Sequence, residues 1–195
     1  MRGGEGFLTE NDLIKKCKKG SREAFNILVS NYQHQVINIA YGMISNQEDA
    51  YDAAQEVFVR VYKGIESFKE QSSFTTWLYR ITKNVCSDIL RKRQKHSGVI
   101  SINQAIDEKK DMDIKDESPT PEENMEISER QRAVREAISE LKEEYRTVIT
   151  LCDIEGLSYD YIAEVLGIPS GTVKSRINRA RSALKKNLMN KRELF

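Results

Sequence analysis

GLSYDYIAEVLGIPSGTVKSRINRARS, residues 156–182, is the stretch that decides the fold of this chain. Ser158 is a candidate helix N-cap, because its hydroxyl can accept a hydrogen bond from an amide of the first turn. Gly167 suits the left-handed backbone just past a helix end, and Pro169 cannot continue that helix. Ser170 is a candidate cap for the next helix. We therefore expect two short helices joined by a tight turn, which is the pattern of a helix-turn-helix.

The second helix of this motif separates an apolar stripe from a cationic side. Val173, Ile177, Ala180 and Leu184 recur at helical spacing and are expected to face the core. The outward side, which also carries Arg181, would then lie in the DNA major groove. The candidates for base contact are Thr172, Lys174, Ser175, Arg176 and Arg179. A helix-turn-helix does not by itself say whether the protein activates or represses transcription. The simpler alternative is a solvated helical hairpin whose surface carries basic side chains.

The composition argues against several classes of protein. Three prolines and ten glycines in 195 residues favour a mostly helical chain. The sequence has no run of about 18 apolar residues and no apolar signal core at its start, so we expect no membrane span. Cys17, Cys86 and Cys152 are odd in number and far apart, which favours buried thiols in a reducing cytosol. With only His34 and His96, we expect no metal site and no cofactor.

The net charge of +1 hides a strong asymmetry along the chain. Residues 80–96 contain six Lys or Arg and one acid, and residues 170–192 contain eight Lys or Arg and no acid. Residues 104–126 contain nine acids and three lysines. This pattern predicts two surfaces that contact phosphate, separated by an acidic segment.

The helical period divides the chain into three parts, which predicts an all-α protein with two small helical domains joined by a flexible acidic linker. Residues 8–95 hold four predicted helices, with Thr9 and Ser21 as candidate caps, the third helix beginning in residues 46–52, and Tyr62 on a buried side. The predicted linker and the second helical domain span 96–127 and 128–190. The linker could reach about 100 Å when extended.

Several motifs in one order make the chain similar to a known family. They are GSREAF at 20–25, DAYDAAQEVF at 49–58, FTTWLYRITKN at 74–84 and the helix-turn-helix. Together they resemble the extracytoplasmic-function sigma factors of the sigma-70 family. The resemblance implies an alternative sigma factor, not an enzyme, that binds bacterial core RNA polymerase in the cytoplasm and directs initiation at specific promoters. It also implies a stress or envelope response controlled by an anti-sigma factor.

The resemblance assigns polymerase docking to the third predicted helix. The residues assigned to docking are Asp49, Asp52, Gln55, Glu56 and Phe58. Acids on this helix would complement a basic coiled coil of the polymerase. The simpler alternative is that they only keep the helix face solvated.

The resemblance also divides promoter reading between the two domains. Residues 68–74 and the following helix resemble the element that opens the −10 box, where bases are held by stacking and by a polar pocket. The residues assigned to the −10 box are Phe68, Ser72, Ser73, Phe74, Arg80, Lys83 and Asn84. Phe74 and the neighbouring Trp77 fit a core role equally well. The recognition helix is assigned to the −35 box, with Arg176 ranked above Arg179 for base contact.

One further role follows from the resemblance, and three other classes of protein stay open. The acidic linker would thread the active-site cleft of the polymerase, whereas the simpler alternative is a solvated tether. A free-standing helix-turn-helix regulator would need a receiver domain, and the N-terminal half lacks alternating strands. An enzyme acting on nucleic acid would need a metal or phosphate motif that the sequence does not contain. An interaction protein that retains the sigma fold without promoter function is the third alternative.

Overall fold

A computed structural model describes residues 9–97 and 121–192 of the chain. Over these residues the structure is helical and contains no strand, which confirms the all-α prediction. The helices are α1 (Glu10–Lys18), α2 (Arg22–Ile44), α3 (Gln47–Gly64), α4 (Phe74–Ser97), α5 (Pro121–Ser139), α6 (Glu143–Ile149), α7 (Tyr159–Leu166) and α8 (Ser170–Arg192). Leu8 and most of the predicted linker lie outside the described residues.

Side-chain caps begin the first three helices, and the sequence predicts those at Thr9 and Ser21. The Thr9 hydroxyl accepts a hydrogen bond from the Asp12 amide, and the Asp12 carboxylate accepts one from the Thr9 backbone N–H, which forms a capping box. Ser21 accepts from the amide of Ala24 at 3.3 Å. Asn46 accepts from the amide of the third residue of α3 at 3.0 Å. These bonds satisfy amides that have no partner within their own helix.

Helices α1–α4 form the N-terminal unit, in which α2, α3 and α4 pack against one another. The stripe that α3 buries consists of Ala50, Ala53, Ala54, Val57 and Val61. Small residues on this stripe let α3 approach its neighbours closely. The prediction that Tyr62 lies inward is wrong, because its side chain is 50% exposed and only the ring edge meets Phe25.

Helices α5–α8 form the C-terminal unit. Helix α5 begins at Pro121, inside the segment that the sequence assigns to the linker. Proline is tolerated in the first turn of a helix because its missing N–H would have no partner there. A π-helical turn, Thr150–Ile154, continues α6 and leads towards α7. The packed centre of this unit includes Ile149, Leu151 and Ile177.

The helix-turn-helix has the geometry that the sequence predicts, apart from one cap. Ser158 accepts from the Tyr161 amide at 3.3 Å, and Gly167 ends α7 in the left-handed region at φ +65°. Ser170 is already the first residue of α8, so its predicted capping role is wrong. The preceding carbonyl, that of Pro169, accepts the amide of Val173 at 3.1 Å.

The two units also pack against each other. Helix α4 contacts α7, and α2 contacts α5, α6 and the π turn. A Cβ built on Gly42 of α2 would lie 2.5 Å from Thr150 Cγ2. Only a glycine leaves room for this approach of α2 to the π turn.

We expect Ile177→Ala to lower the free energy of unfolding by about 2–5 kcal/mol, because it leaves a cavity beneath the recognition helix. The Ile177 side chain is fully buried. Lys174→Ala on the same helix is the matched surface control and should change stability by no more than about 0.5 kcal/mol. Urea unfolding followed by circular dichroism measures both variants. Equal losses would contradict the placement of Ile177 in the core.

Candidate nucleic-acid interface

Aromatic residues predicted for the −10 pocket form a packed cluster at the start of α4. Phe68 and Phe74 are 7% and 2% exposed. The Phe68 ring stacks on Trp77 with 4.9 Å between ring centroids, and Phe74 lies 5.5 Å from the ring of Tyr32. Because both phenylalanine rings already contact protein on their faces and edges, they support the loop between α3 and α4 and present little surface for a base.

Ser73 begins α4 as its capping residue. Its Oγ accepts the amide of Thr76 at 3.0 Å and lies 2.8 Å from the Thr76 hydroxyl. It also lies 3.0 Å from the hydroxyl of Thr75. Ser72, just before it, is half-buried, whereas Ser73 itself is exposed. The hydroxyl of Ser73 is therefore engaged by the start of α4, although its side chain lies at the surface.

The polar face of α4 carries Arg80, Lys83 and Asn84. Asn84 is exposed, and the other two are half-buried. Asn84 follows Phe74 by ten residues, which places it about 15 Å further along the helix at 1.5 Å per residue. The structure therefore does not bring all the predicted −10 residues into one pocket. The loop before α4 forms one surface around Phe74. Arg80, Lys83 and Asn84 form a second, separate surface, the polar strip of α4.

Tyr79 lies beside this strip and is 6% exposed. Its ring meets that of Tyr161 edge to face, with 6.3 Å between centroids. Burial, together with the nearby Glu155 carboxylate and Tyr161, raises the pKa of Tyr79 to about 12. Tyr79 is therefore neutral at physiological pH and serves as an aromatic contact between the two units.

The recognition helix α8 presents its cations as the sequence predicts, with two exceptions. Lys174 and Arg179 are exposed. Arg176 is half-buried, and its Nε lies 3.4 Å from a carboxylate oxygen of Glu144. Arg181, expected on the DNA side, instead makes a two-pronged ion pair with Asp153, at 3.2 Å and 2.5 Å. That carboxylate raises the pKa of Arg181.

One hydroxyl of α8 is hydrogen-bonded to the backbone of its own helix. Ser175 Oγ donates to the carbonyl of Thr172 at 2.9 Å, and both side chains are half-buried. The side chains that extend furthest towards solvent on this side are therefore Lys174 and Arg179. A DNA contact by Arg176 requires that it exchange Glu144 for a base or a phosphate.

The polymerase-docking residues predicted on α3 share one surface, which is more apolar than the sequence suggests. Asp52, Gln55 and Glu56 are exposed, and Glu56 also accepts a 2.7 Å hydrogen bond from Arg60. Asp49 is half-buried and forms an ion pair with Arg93 of α4. Phe58 is half-buried and packs against the core.

Sequence reasoning missed three apolar members of this α3 surface. Tyr51, Val59 and Tyr62 are 38%, 44% and 50% exposed. They follow one another at intervals of eight and three residues, which places them along one side of a helix. In the sequence these residues repeat at helical spacing on a different side of α3 from the buried alanine stripe. That pattern is the signal that could have identified this surface. Large apolar side chains next to acids on an exposed face are typical of a protein-binding surface.

Other kinds of site are absent from the part of the chain that the structure describes. Over residues 9–97 and 121–192, no group of three or more His, Cys, Asp or Glu side chains is arranged to hold a metal ion. No helix within those ranges is both long and apolar enough to cross a membrane.

The fold and these surfaces define a helical protein in two units with a helix-turn-helix in the second. Two family models match it: Sigma-70 region 2 over residues 28–96, and Sigma-70, region 4 over residues 131–184. The ECF RNA polymerase sigma-E factor of Haemophilus influenzae is 39% identical over 183 residues, which cover 93% of this chain and 96% of the relative. The ECF RNA polymerase sigma factor SigW of Bacillus subtilis is 40% identical over 177 residues, 90% of this chain and 94% of the relative.

The chain therefore belongs to the extracytoplasmic-function sigma factors of the sigma-70 family, which act in the initiation of transcription. Solved structures have the same fold. CnrH in complex with the cytosolic domain of CnrY matches with a TM-score of 0.65 and 25% identity, over 91% of this chain and 96% of that one. RpoE in complex with the anti-sigma factor NepR from Bartonella quintana matches with a TM-score of 0.62 and 24% identity, over 85% of this chain and 96% of that one.

The burial of the aromatic cluster predicts how its residues respond to substitution. Phe74→Ala should lower the free energy of unfolding by about 3–5 kcal/mol, because it empties a packed site. Asn84→Ala, on the exposed side of the same helix, should change it by no more than about 0.5 kcal/mol. Thermal unfolding of both variants provides the measurement. A stable Phe74→Ala protein would show that the ring is available to DNA and is not part of the core.

Proposed function

We propose that this chain is an alternative sigma factor that reads two promoter boxes with two separate surfaces and has no enzymatic activity of its own. One observation carries the proposal: the half-buried Arg80 and Lys83 lie on the polar side of α4, the exposed Lys174 and Arg179 lie on α8 in the other unit, and α3 presents an acidic and apolar face elsewhere. Two DNA surfaces and one protein surface are what a promoter-reading subunit of RNA polymerase needs. The domain limits that we propose are 8–95, 96–127 and 128–190.

The recognition helix is proposed to read the −35 box. Lys174 and Arg179 project from α8 beside the half-buried Thr172, Ser175 and Arg176. An arginine fork can hold O6 and N7 of a guanine, which a lysine or serine cannot do with two parallel bonds. Both partners of the Arg176–Glu144 pair are partly exposed, so the pair is weak and can be exchanged for a base.

The loop before α4 and the polar strip of α4 are proposed to bind the opened −10 box. Ser72 and Asn84 supply hydrogen-bonding groups that solvent can reach, and Arg80 and Lys83 supply charge for the phosphates. The buried Phe68 and Phe74 are proposed to hold the loop in shape, so their contribution to DNA binding is indirect. Single-stranded bases need such a preformed surface, because their own conformational freedom is lost on binding.

The exposed face of α3 is proposed to dock on core RNA polymerase. Asp52, Gln55 and Glu56 provide negative and polar groups, and the adjoining Val59 and Tyr62 provide apolar area. Apolar contact at the centre with charge at the edge is typical of a specific protein interface. Asp49 is paired with Arg93 within the unit, so its proposed role is to orient that end of α3.

Control by an anti-sigma factor is proposed from the solved relatives. CnrH was solved with the cytosolic domain of CnrY, and RpoE was solved with the anti-sigma factor NepR. We propose that this chain has a partner of the same kind, that it works in the cytoplasm with the polymerase, and that release from the partner switches on a stress or envelope response.

The proposal predicts promoter-specific transcription when bacterial core RNA polymerase is mixed with this protein and a pool of promoter fragments. Specific transcripts whose templates share two upstream boxes are the expected result, with core polymerase alone as the blank. Retention of the protein on double-stranded DNA without any transcript would instead support a free-standing regulator.

Substitution of Asp52 tests the docking surface in the same reaction. Asp52→Lys places a cation at the centre of the acidic face and should weaken co-elution with core polymerase and reduce transcript yield together. Glu66→Lys makes the same charge change on an exposed residue outside α3 and should leave co-elution intact. Undiminished co-elution of Asp52→Lys would exclude this face as the docking site.

Replacing Arg176 should remove sequence discrimination, not general affinity. For a promoter found in the transcription assay, we expect Arg176→Ala to lose about 1–3 kcal/mol of preference over a duplex with a substituted −35 box. Lys185→Ala, an exposed cation on the same helix, is the matched control and should weaken all duplexes alike. Fluorescence anisotropy at fixed salt measures both preferences. Uniform weakening by Arg176→Ala would reassign it to phosphate contact.

A further inference from the structure

Helix α1 packs behind the loop that leads into α4, residues 68–73. Leu13 and Ile14 of α1 are buried, and the helix contacts α2 and the short 3₁₀ turn Ile65–Ser67 just before the loop. The match to Sigma-70 region 2 begins at residue 28, so α1 lies outside it. A helix outside the matched region therefore supports the loop that is proposed to bind the −10 box.

Lys18, the last residue of α1, contacts this loop in two ways. Its ammonium lies 2.5 Å from a carboxylate oxygen of Glu70 and 5.5 Å from the centre of the Phe68 ring. The cation therefore meets an opposite charge and an aromatic face at the same point. The hydrogen bond from Lys18 lowers the pKa of Glu70, so the pair is charged at neutral pH.

The backbone of Glu70 is in an unusual conformation. Its φ is +57°, in the left-handed region that is disfavoured for residues with a Cβ and that persists where the surroundings hold it. The loop is fixed at its start by the hydrogen bond from the Phe68 amide to the Ile65 carbonyl, and at its end by the Ser73 cap. Glu70 lies between these two points, so its bond to Lys18 ties the middle of the loop to α1.

The other end of α1 reaches the same aromatic cluster through Tyr32. The Tyr32 hydroxyl donates to the carboxylate of Glu10, and the Tyr32 ring lies 5.5 Å from the ring of Phe74. Glu10 and Lys18 are eight residues apart, which places them about 12 Å apart along the helix axis. Helix α1 therefore holds the cluster near both of its phenylalanine rings.

We propose that α1 is a positioning element for the −10 box, in which Lys18 fixes Glu70 and Phe68 and so sets the shape that the loop presents to opened DNA. This rests on the assignment of the loop to the −10 box under the proposed function. The ammonium of Lys18 is shared between Glu70 and Phe68, and its side chain is only 25% exposed, so it acts on DNA through the loop. Its loss should change selectivity at the −10 box and leave selectivity at the −35 box intact.

The single tryptophan of the chain reports on the loop without any DNA. Trp77 stacks on Phe68, with 4.9 Å between ring centroids. We expect Lys18→Ala to loosen Phe68 and to increase the quenching of Trp77 fluorescence by acrylamide. Lys16→Ala, which removes an exposed cation from the same helix, should leave the quenching unchanged. Unchanged quenching in Lys18→Ala would overturn the proposal, as would a loss of helix content by circular dichroism, since Lys18 would then support the fold and not the loop.

Transcription with core polymerase measures selectivity at each box separately. For a promoter found in the transcription assay, templates with a substituted −10 box or a substituted −35 box are each compared with the unchanged promoter. Lys18→Ala should lower the preference for the unchanged −10 box about two- to fivefold, which is what a partly exposed ion pair can supply. The preference for the −35 box should stay as in wild type. Equal losses at the two boxes, or no loss at either, would contradict the positioning role.

A charge swap separates the ion pair from its individual residues. Glu70→Lys alone places two ammonium groups together and should lower the −10 preference as Lys18→Ala does. Adding Lys18→Glu restores opposite charges and should return both the −10 preference and the Trp77 quenching towards the wild-type values. No recovery in the double variant would exclude the pair as the positioning contact. If wild type gives no transcript while Trp77 still responds to Lys18→Ala, the proposed function is at fault and not the role of α1.

Discussion

The burial of one side of α4 is the constraint on which the rest of the structure depends. Leu78, Val85 and Cys86 are fully or almost fully buried and anchor α4 against α2 and α3. Because a helix turns about 100° per residue, fixing that side also fixes the opposite one, which carries Arg80 and Asn84. The direction of the polar strip of α4 is therefore set by the hydrophobic core and not by the loop that precedes it. The C-terminal unit docks on this same side.

The caps and ends of several helices were predictable from the sequence, because they depend on residues close together in the chain. The caps at Thr9, Ser21 and Ser158 and the left-handed Gly167 are all present where the pattern placed them. Each involves a side chain or a backbone angle within three or four residues of its partner. The family assignment was predictable for the same reason, since each of its motifs is continuous in sequence.

Burial of individual aromatic side chains was harder to predict, because it depends on which element covers a helix face. Phe68 was assigned to a DNA pocket, and Phe74 fitted either a pocket or the core; the structure places both in a cluster with Trp77. Tyr62 fitted the inward stripe of α3 but lies half-exposed beside Phe25. Helical spacing identifies which residues share a face, but it does not identify what packs against that face.

Contacts between the units could not be predicted from hydrophobic periodicity. They include an arginine on a backbone carbonyl, a serine on a glutamate and a glycine against a threonine, beside the aromatic pair Tyr79–Tyr161. The three polar or glycine contacts leave no periodic apolar signal, and each joins residues more than fifty positions apart.

The central claim is that the C-terminal unit packs on one face of α4. Its most direct test is the distance between spin labels at exposed positions of the two units, introduced by Asn26→Cys and Lys185→Cys in a Cys152→Ser chain. Pulsed electron paramagnetic resonance of the free protein should give one narrow distance. A broad distribution of distances would contradict the account.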